Sequence, residues 1–489
     1  MDDRTSHDRA RYKPLSTEDV HAIHDTVLRV FSEVGFQANL SEARDLFKAA
    51  GADVDESTAT VKLSPDLVME LTQRAPDTVT LCGRDPDGRF DCEISGTKVF
   101  TGTGGTALKV QEPGETEPRP SRLADVMNMA RLVDRLDNIH VYMLNVYPHE
   151  LPESRVDVNR FAAGLNHTSK HVMGGVYTVE GVRNVVKMAE IIAGSPEKLR
   201  ERPIVSMVTC VISPFKLDEK YSRLAVEAAL SGVPVVVPSE PLCGATSPVT
   251  LAANLVVWAV DTLAGVMLTQ LVRPGTPVMT GCVASITDMR DLKYLSGAVE
   301  MGLLNASAAQ LAQFYRLPIY TTAGMSDSKV NDAQAGYESA MTSVMVALAG
   351  GNFIHDAAGF LEFCTTASYD KLIIDNDILG MAMRAVEGIR VNEKTLAFDV
   401  LKEAGPGGHF VSHRHTRRFM RSELWTPTLS DRENRDRWTE DGSADAWTRA
   451  TQKAKEILDV PAKSVIPADA IARITAEIPG IDPSILHLS

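Results

Sequence analysis

Apolar positions along this chain alternate between two patterns. From about residue 98, short β-rich runs are each followed by a longer stretch with apolar residues at helical spacing. The runs are 99–103, 139–147, 171–177, 204–212, 233–238, 277–283, 318–323 and 352–357. Helical patterns fall at 121–136, 179–193, 217–230, 248–272, 291–315, 332–349 and 370–389. In the first of these, Ser121 can cap the helix, and Leu123, Val126, Ala130, Val133 and Leu136 share one face. Strict β/α alternation predicts a parallel sheet covered by helices. Eight repeats predict closure into an α/β (β/α)8 TIM barrel, with an open doubly wound sheet as the alternative.

Outside this region the pattern changes. Residues 1–96 read as an N-terminal α+β extension. It has helices over 17–34 and 40–50, stop signals at Gly35 and Gly51, a short helix opened by Pro65, and strands near Val79 and Ile94. Residues 97–390 form the barrel, and 391–489 a polar, mostly helical C-terminal extension holding Trp425, Trp438 and Trp447. The stretch 251–272 is long enough to cross a membrane, but Asn254, Asp261 and Gln270 interrupt it, so a buried helix is expected. The first fourteen residues are charged and polar, unlike a signal peptide. Six scattered cysteines without a CxxC suit reduced thiols. Both features predict a cytoplasmic protein. The net charge of −14 excludes a nucleic-acid binder, because the basic run at 414–421 stands alone.

A barrel places its chemistry at the carboxyl ends of the strands. Those ends carry Gly102 to Gly105, Tyr147, Tyr177, Phe215, Glu240, Cys282, Tyr320, Asp327, His355, Asp356, Phe360 and Glu362. Acidic groups among aromatic faces suit an organic cation. Familiar motifs fail. Gly102-x-Gly104-x-x-Ala107 is followed by a strand and turn, so it offers no helix N-terminus to a pyrophosphate. His409, His413 and His415 have a metal-like spacing, but Arg414, Arg417 and Arg418 would repel a cation, so no metal site is expected. Cys282, His355 and Cys364 form a second conceivable zinc set, which would make a zinc-dependent thiol methyltransferase.

Several stretches together resemble the trimethylamine methyltransferase family. They are Phe100-Thr-Gly-Thr-Gly-Gly, Thr209 to Phe215, Thr322 to Glu338, Gly405-Pro-Gly-Gly-His409-Phe, and His415-Thr. The resemblance spans nearly the whole chain, and the segment from Ser326 to Glu338 is its most specific part. It implies a barrel enzyme that moves a methyl group from a methylamine or betaine to the cobalt of a separate corrinoid protein. Family members specific for trimethylamine carry pyrrolysine, whereas this chain has only standard residues. The family's other members resemble glycine betaine methyltransferase, so a quaternary amine is expected as substrate and trimethylamine is not. Glu240, Asp327 and His355 are expected to carry the chemistry. Tyr177, Phe215, Tyr320, Ser328, Lys329, Gly104 and Gly105 are expected to line the substrate. His409, His413 and Arg414 are expected at the rim where the corrinoid protein docks. No tightly bound cofactor is expected, and a homo-oligomer is. A non-catalytic betaine-binding barrel is the remaining alternative.

Overall fold

The structure, a computed structural model, describes residues 11–486; the first ten polar residues weighed above lie outside that range. Eight short parallel strands form its centre. They are β1 (Phe100–Thr101), β2 (Val141–Met143), β3 (His171–Gly175), β4 (Val205–Val208), β5 (Val235–Ser239), β6 (Val278–Cys282), β7 (Ile319–Thr322) and β8 (Phe353–His355). Each pairs with its neighbours in chain order, β8 pairs with β1, and a parallel bridge from Gly102 to Val141 joins β1 to β2. The barrel is therefore closed, and each strand coincides with one of the eight apolar runs, β5 continuing one residue past its run to Ser239.

A helix follows each strand: α1 (Leu123–Asp134), α2 (Glu153–His167), α3 (Val179–Ala193), α4 (Glu219–Ser231), α5 (Leu251–Val272), α6 (Val299–Tyr315), α7 (Ala333–Leu348) and α8 (Tyr369–Glu387). The helical pattern shows seven of them and misses α2. That helix is buried over twelve of its fifteen residues, including Asp157, Asn159, Arg160, Asn166 and His167. The C-terminal tail covers its polar side: Asn159 donates to the Gly480 carbonyl and Asn166 to the Ile485 carbonyl. A helix satisfied by polar contacts on its outer side has no apolar stripe to read.

The foot of the barrel is plugged. A hairpin of Thr78–Leu81 and Cys92–Ser95 packs Val79, Leu81 and Ile94 against the barrel interior, where Val141, Met143, Met173, Val236, Met279, Tyr320 and Phe353 meet. The rest of the N-terminal extension lies on the barrel's flank. Phe36–Ala38 pairs with Thr60–Lys62 and, in parallel, with Lys216–Leu217 from the loop after β4. Its core of Val27, Phe31, Phe36, Phe47 and Val61 continues into Trp258, Leu263 and Met267 of α5. This explains the long apolar helix. It is long and apolar enough to cross a membrane, yet 78% of its most apolar window is buried, with the barrel on one side and the extension on the other.

The C-terminal extension has two parts. Helix Ala446–Asp459 lies along α8 and α1, and helix Ala468–Glu477 lies along α3. Between α8 and these helices the chain leaves the body. Short helices Glu393–Leu396, Phe398–Ala404 and Arg414–Glu423 contain no buried residue. The segment leaves and returns at one place, the last turn of α8, where Arg384 donates to the carbonyls of Gly388 and Glu423.

Candidate functional site

The mouth of the barrel gathers groups from the ends of four strands. Glu240 follows β5, Cys210 follows β4, Asp356 follows β8, and Tyr294 and Cys364 come from the loops after β6 and β8. Glu240 and Cys210 keep surface accessible to water, yet burial dominates the electrostatics of both. Groups that face an open-ended hollow inside the protein show this combination. Burial, and then the nearby Asp356, push the Glu240 carboxyl up to about 7. Burial likewise pushes the Cys210 thiol up to about 12. The hydroxyls of Tyr294 and Tyr320 and the Cys364 thiol are held well above their ordinary values, first by burial and then by Glu240, Asp356 and their neighbours.

Asp356 sits at positive φ, 55°, at the end of β8. His355 Nε2 lies 2.9 Å from its Oδ2, while its buried Oδ1 has no hydrogen-bond partner. Among the described residues Glu240 makes no hydrogen bond or ion pair. Two carboxyl groups thus interact electrostatically here, and of the two only Asp356 has a side-chain partner, His355. His355 is fixed by neighbours: Nδ1 lies 2.8 Å from the Thr321 carbonyl oxygen, and the ring stacks on Tyr320 at 3.8 Å. Tyr320 is therefore a floor beneath the cavity, buried to 2% exposure.

Gly104 and Gly105 make room for this arrangement. A Cβ on Gly104 would lie 1.5 Å from Asp356 Oδ1, and one on Gly105 would lie 2.5 Å from the Leu144 carbonyl oxygen. Both glycines are needed for close packing at the mouth.

Tyr177 is half-buried and packs edge-on to Tyr147 at 5.7 Å. Its hydroxyl accepts from Arg160 Nη1 at 3.2 Å. Arg160 is fully buried, donates also to Thr106 Oγ1 and the Leu144 carbonyl, and leaves its Nε without a partner. Asp157 in turn receives the Tyr177 amide. Arg160 escaped the sequence reading because it belongs to α2, the helix without an apolar stripe. Tyr294 escaped it because it comes from the loop after β6 rather than from a strand end.

Other candidates have different roles. Asp327 Oδ1 accepts from Ser296 N, Ser296 Oγ and Gly297 N, so it pins the loop before α6 instead of facing a ligand. Phe215 donates its amide to Asp261, and its ring packs against the α5 cluster, away from the cavity. Ser328 Oγ donates to Asp332, the N-cap of α7, and Lys329 is exposed above the Phe363 ring. Glu362 accepts from Thr366 within its own hairpin. The zinc set does not assemble: among the described residues no three His, Cys, Asp or Glu side chains form a metal-sized cluster, and burial pushes the Cys282 thiol up to about 12. His409, His413 and Arg414 lie on the segment carried by the foot end of α8, the end opposite their own barrel's mouth. Each strand carries the chain to the mouth and each helix returns it to the foot, so a segment after α8 starts from the foot.

Two hollows open elsewhere on the surface. One of about 410 Å³ lies on the rim beside Tyr177, Asp218 and Lys220. The other, about 360 Å³, lies beside the plug hairpin at Ser95 and Arg316, far from Glu240 in the fold.

Comparison with known proteins gives a consistent set of likenesses. The family described as trimethylamine methyltransferase (MTTB) matches residues 3–478. Trimethylamine methyltransferase MttB of Desulfitobacterium hafniense (strain DSM 10664 / DCB-2) is 37% identical over 445 residues, covering 91% of this chain and 89% of that protein. Glycine betaine methyltransferase of Desulfitobacterium hafniense (strain Y51) is 32% identical over 432 residues, covering 88% and 89% respectively. Among solved structures, the monomethylamine methyltransferase MtmB of Methanosarcina barkeri aligns with a TM-score of 0.50 at 11% identity, over 92% of this chain and 93% of that one. The last likeness concerns the barrel fold alone.

Proposed function

The chain belongs to the trimethylamine methyltransferase family and is a methyltransferase, and from that premise we propose that it moves a methyl group from a quaternary amine, such as glycine betaine, to the cobalt of a separate corrinoid protein. One observation carries the reading of the substrate. Glu240 and Asp356 share the barrel mouth, Asp356 Oδ1 is unsatisfied, and among the described residues Glu240 has no cationic or hydrogen-bonding partner. Adjacent carboxyl groups in such a place call for a proton or a cation between them. A trimethylammonium group supplies the charge permanently, and its methyl groups suit the neighbouring aromatic rings of Tyr320 and Tyr294.

The chain's own residues then bind, orient and dehydrate the substrate. Glu240 and Asp356 hold the ammonium end. For a betaine, the Tyr177 hydroxyl, polarised by Arg160, donates to the substrate carboxylate. The partner's cobalt, when present, supplies the nucleophile in line with one N–CH3 bond. That bond breaks with its electron pair left on nitrogen, so the amine departs neutral and needs no proton. A tertiary amine is a poorer leaving group, and a chain of standard residues has no special group to assist it. The six unpaired thiols support a reducing, cytoplasmic setting.

Isothermal titration of the purified chain with glycine betaine, carnitine, choline and trimethylamine tests the reading. Heat is expected from at least one quaternary compound, with demethylated product appearing once a reduced corrinoid protein is added. No heat from any quaternary compound, alone or with the corrinoid protein, would overturn it.

A further inference from the structure

Residues 389–424 leave the body at the foot of α8 and return to the same turn. From 387 to 428 the chain has no buried residue. It nevertheless holds three helices of four, seven and ten residues. Helices this short are not stable in water without packing, since isolated helices need roughly 12–15 residues to be even marginal. Their apolar residues are bare: Ile389 is 83% exposed, Phe398 71%, Val411 83% and Leu424 68%, joined by Val391, Leu396, Leu401, Phe410 and Met420. Nine such side chains together offer an apolar area on the order of 1,000 Å², more than the ~800 Å² that each partner of a standard interface buries. Something covers this segment.

The chain itself offers a fitting surface. On the same side of the barrel, but toward its mouth, Val299 opens α6, Tyr337 lies one turn into α7 and Met341 lies at the middle of α7; Tyr337 is 61% exposed and Met341 55%. Glu300 and Asp332 stand beside them. The charges match as well. Residues 389–424 carry seven Lys and Arg against four Asp and Glu, while the rest of the chain carries 43 against 60. The apolar segment with the basic excess is thus at the foot, and an apolar patch with acidic neighbours is at the mouth. A two-fold axis across the barrel side sets the foot of one copy beside the mouth of the other and satisfies both patches at once.

We propose that residues 389–424 form an arm that crosses to a second copy of this chain, packs on the mouth-side ends of its α6 and α7, and so builds a two-fold dimer. The arm then brings His409, His413 and Arg414 toward the other copy's mouth, the end from which their own fold keeps them.

Sedimentation velocity on the full chain and two variants tests this. One variant carries Phe398→Asp with Leu401→Asp in the arm, and the other carries Tyr337→Asp on the receiving helix. The unmodified chain is expected to sediment at twice the chain mass, and each variant as a monomer whose circular dichroism loses no more than the signal of the three short arm helices. A mixture of the two variants is expected to recover dimer, because one intact arm then meets one intact patch. A monomeric unmodified chain overturns the proposal, including a monomer whose arm engages only the corrinoid protein. Loss of dimer in the arm variant alone overturns the assigned receiving surface. If a variant does not fold, chains carrying Val411→Cys and Tyr337→Cys are mixed and joined with a bismaleimide. Joined peptides from the two different chains are expected by mass spectrometry, and their absence overturns the contact. None of these readouts depends on the substrate, so the oligomer and the methyl-transfer reading fail separately.

Discussion

Glu240 governs the pH behaviour of the cavity, and the sign follows from its shifted carboxyl. Folding raises it from the ordinary value of 4.5 to about 7, so the ligand-free fold favours the protonated form. The stability this contributes is present below about 4.5 and is lost as pH rises through about 7. Binding of a cation runs the other way and strengthens as pH rises through the same window. Thermal melts of the ligand-free chain at pH 5.5 and 7.5 should therefore show a smaller drop for Glu240→Gln than for the unmodified protein. The same substitution should weaken a trimethylammonium ligand at least about tenfold at pH 8 and flatten its pH dependence, read by titration calorimetry. Tyr177→Phe separates the two ends of a betaine. It removes one donor, so glycine betaine should lose about tenfold in affinity while tetramethylammonium is unaffected. Equal losses for both would show that Tyr177 lines the ammonium end. Gly104→Ala forces a methyl group into Asp356. A cost of about 1–3 kcal/mol in urea unfolding and loss of ligand binding are expected.

The elements were legible where physics writes them along the chain. All eight strands follow from apolar runs ended by glycine and small polar residues, and α5 follows from polar interruptions in a membrane-length stretch. Glu240 was legible for the same reason, because its place is the end of a strand. Asp327 also stands at a strand end, but alternation cannot show that its oxygen turns back to Ser296 and Gly297. Arg160 was hidden in a helix whose outward polar groups are satisfied by the distant residues Gly480 and Ile485. The loops after β7 and β8 depend on another buried element that periodicity does not reveal. Lys371 on α8 donates to the Gly324 carbonyl, Ser339 and both oxygens of Asp375, and Asp375 accepts the Gly359 amide. Both side chains are nearly inaccessible. Asp375→Ala strands a buried ammonium and should cost about 3–5 kcal/mol, visible as a lower denaturation midpoint, with the mouth loops becoming more open to proteolysis. A change below about 1 kcal/mol would mean that water takes over the role of Asp375.

At the scale of the whole molecule, the N-terminal extension is a sheath for α5. A chain lacking residues 1–72 would expose Trp258, Leu263 and Met267 along a 22-residue helix. Such a truncation is expected to pellet in ultracentrifugation of cell extracts, where the full chain stays in the supernatant. The hairpin at the foot has a different consequence. Among the described residues it plugs the foot, so the small substrate and the bulky cobalt carrier share the entrance at the mouth. Under the proposed chemistry this imposes a sequence of events: the amine loads first, the carrier closes over it, and the demethylated product waits until the carrier departs. Steady-state kinetics should then be compulsory-order, and excess methyl-accepting carrier should inhibit by sealing empty barrels before they have loaded.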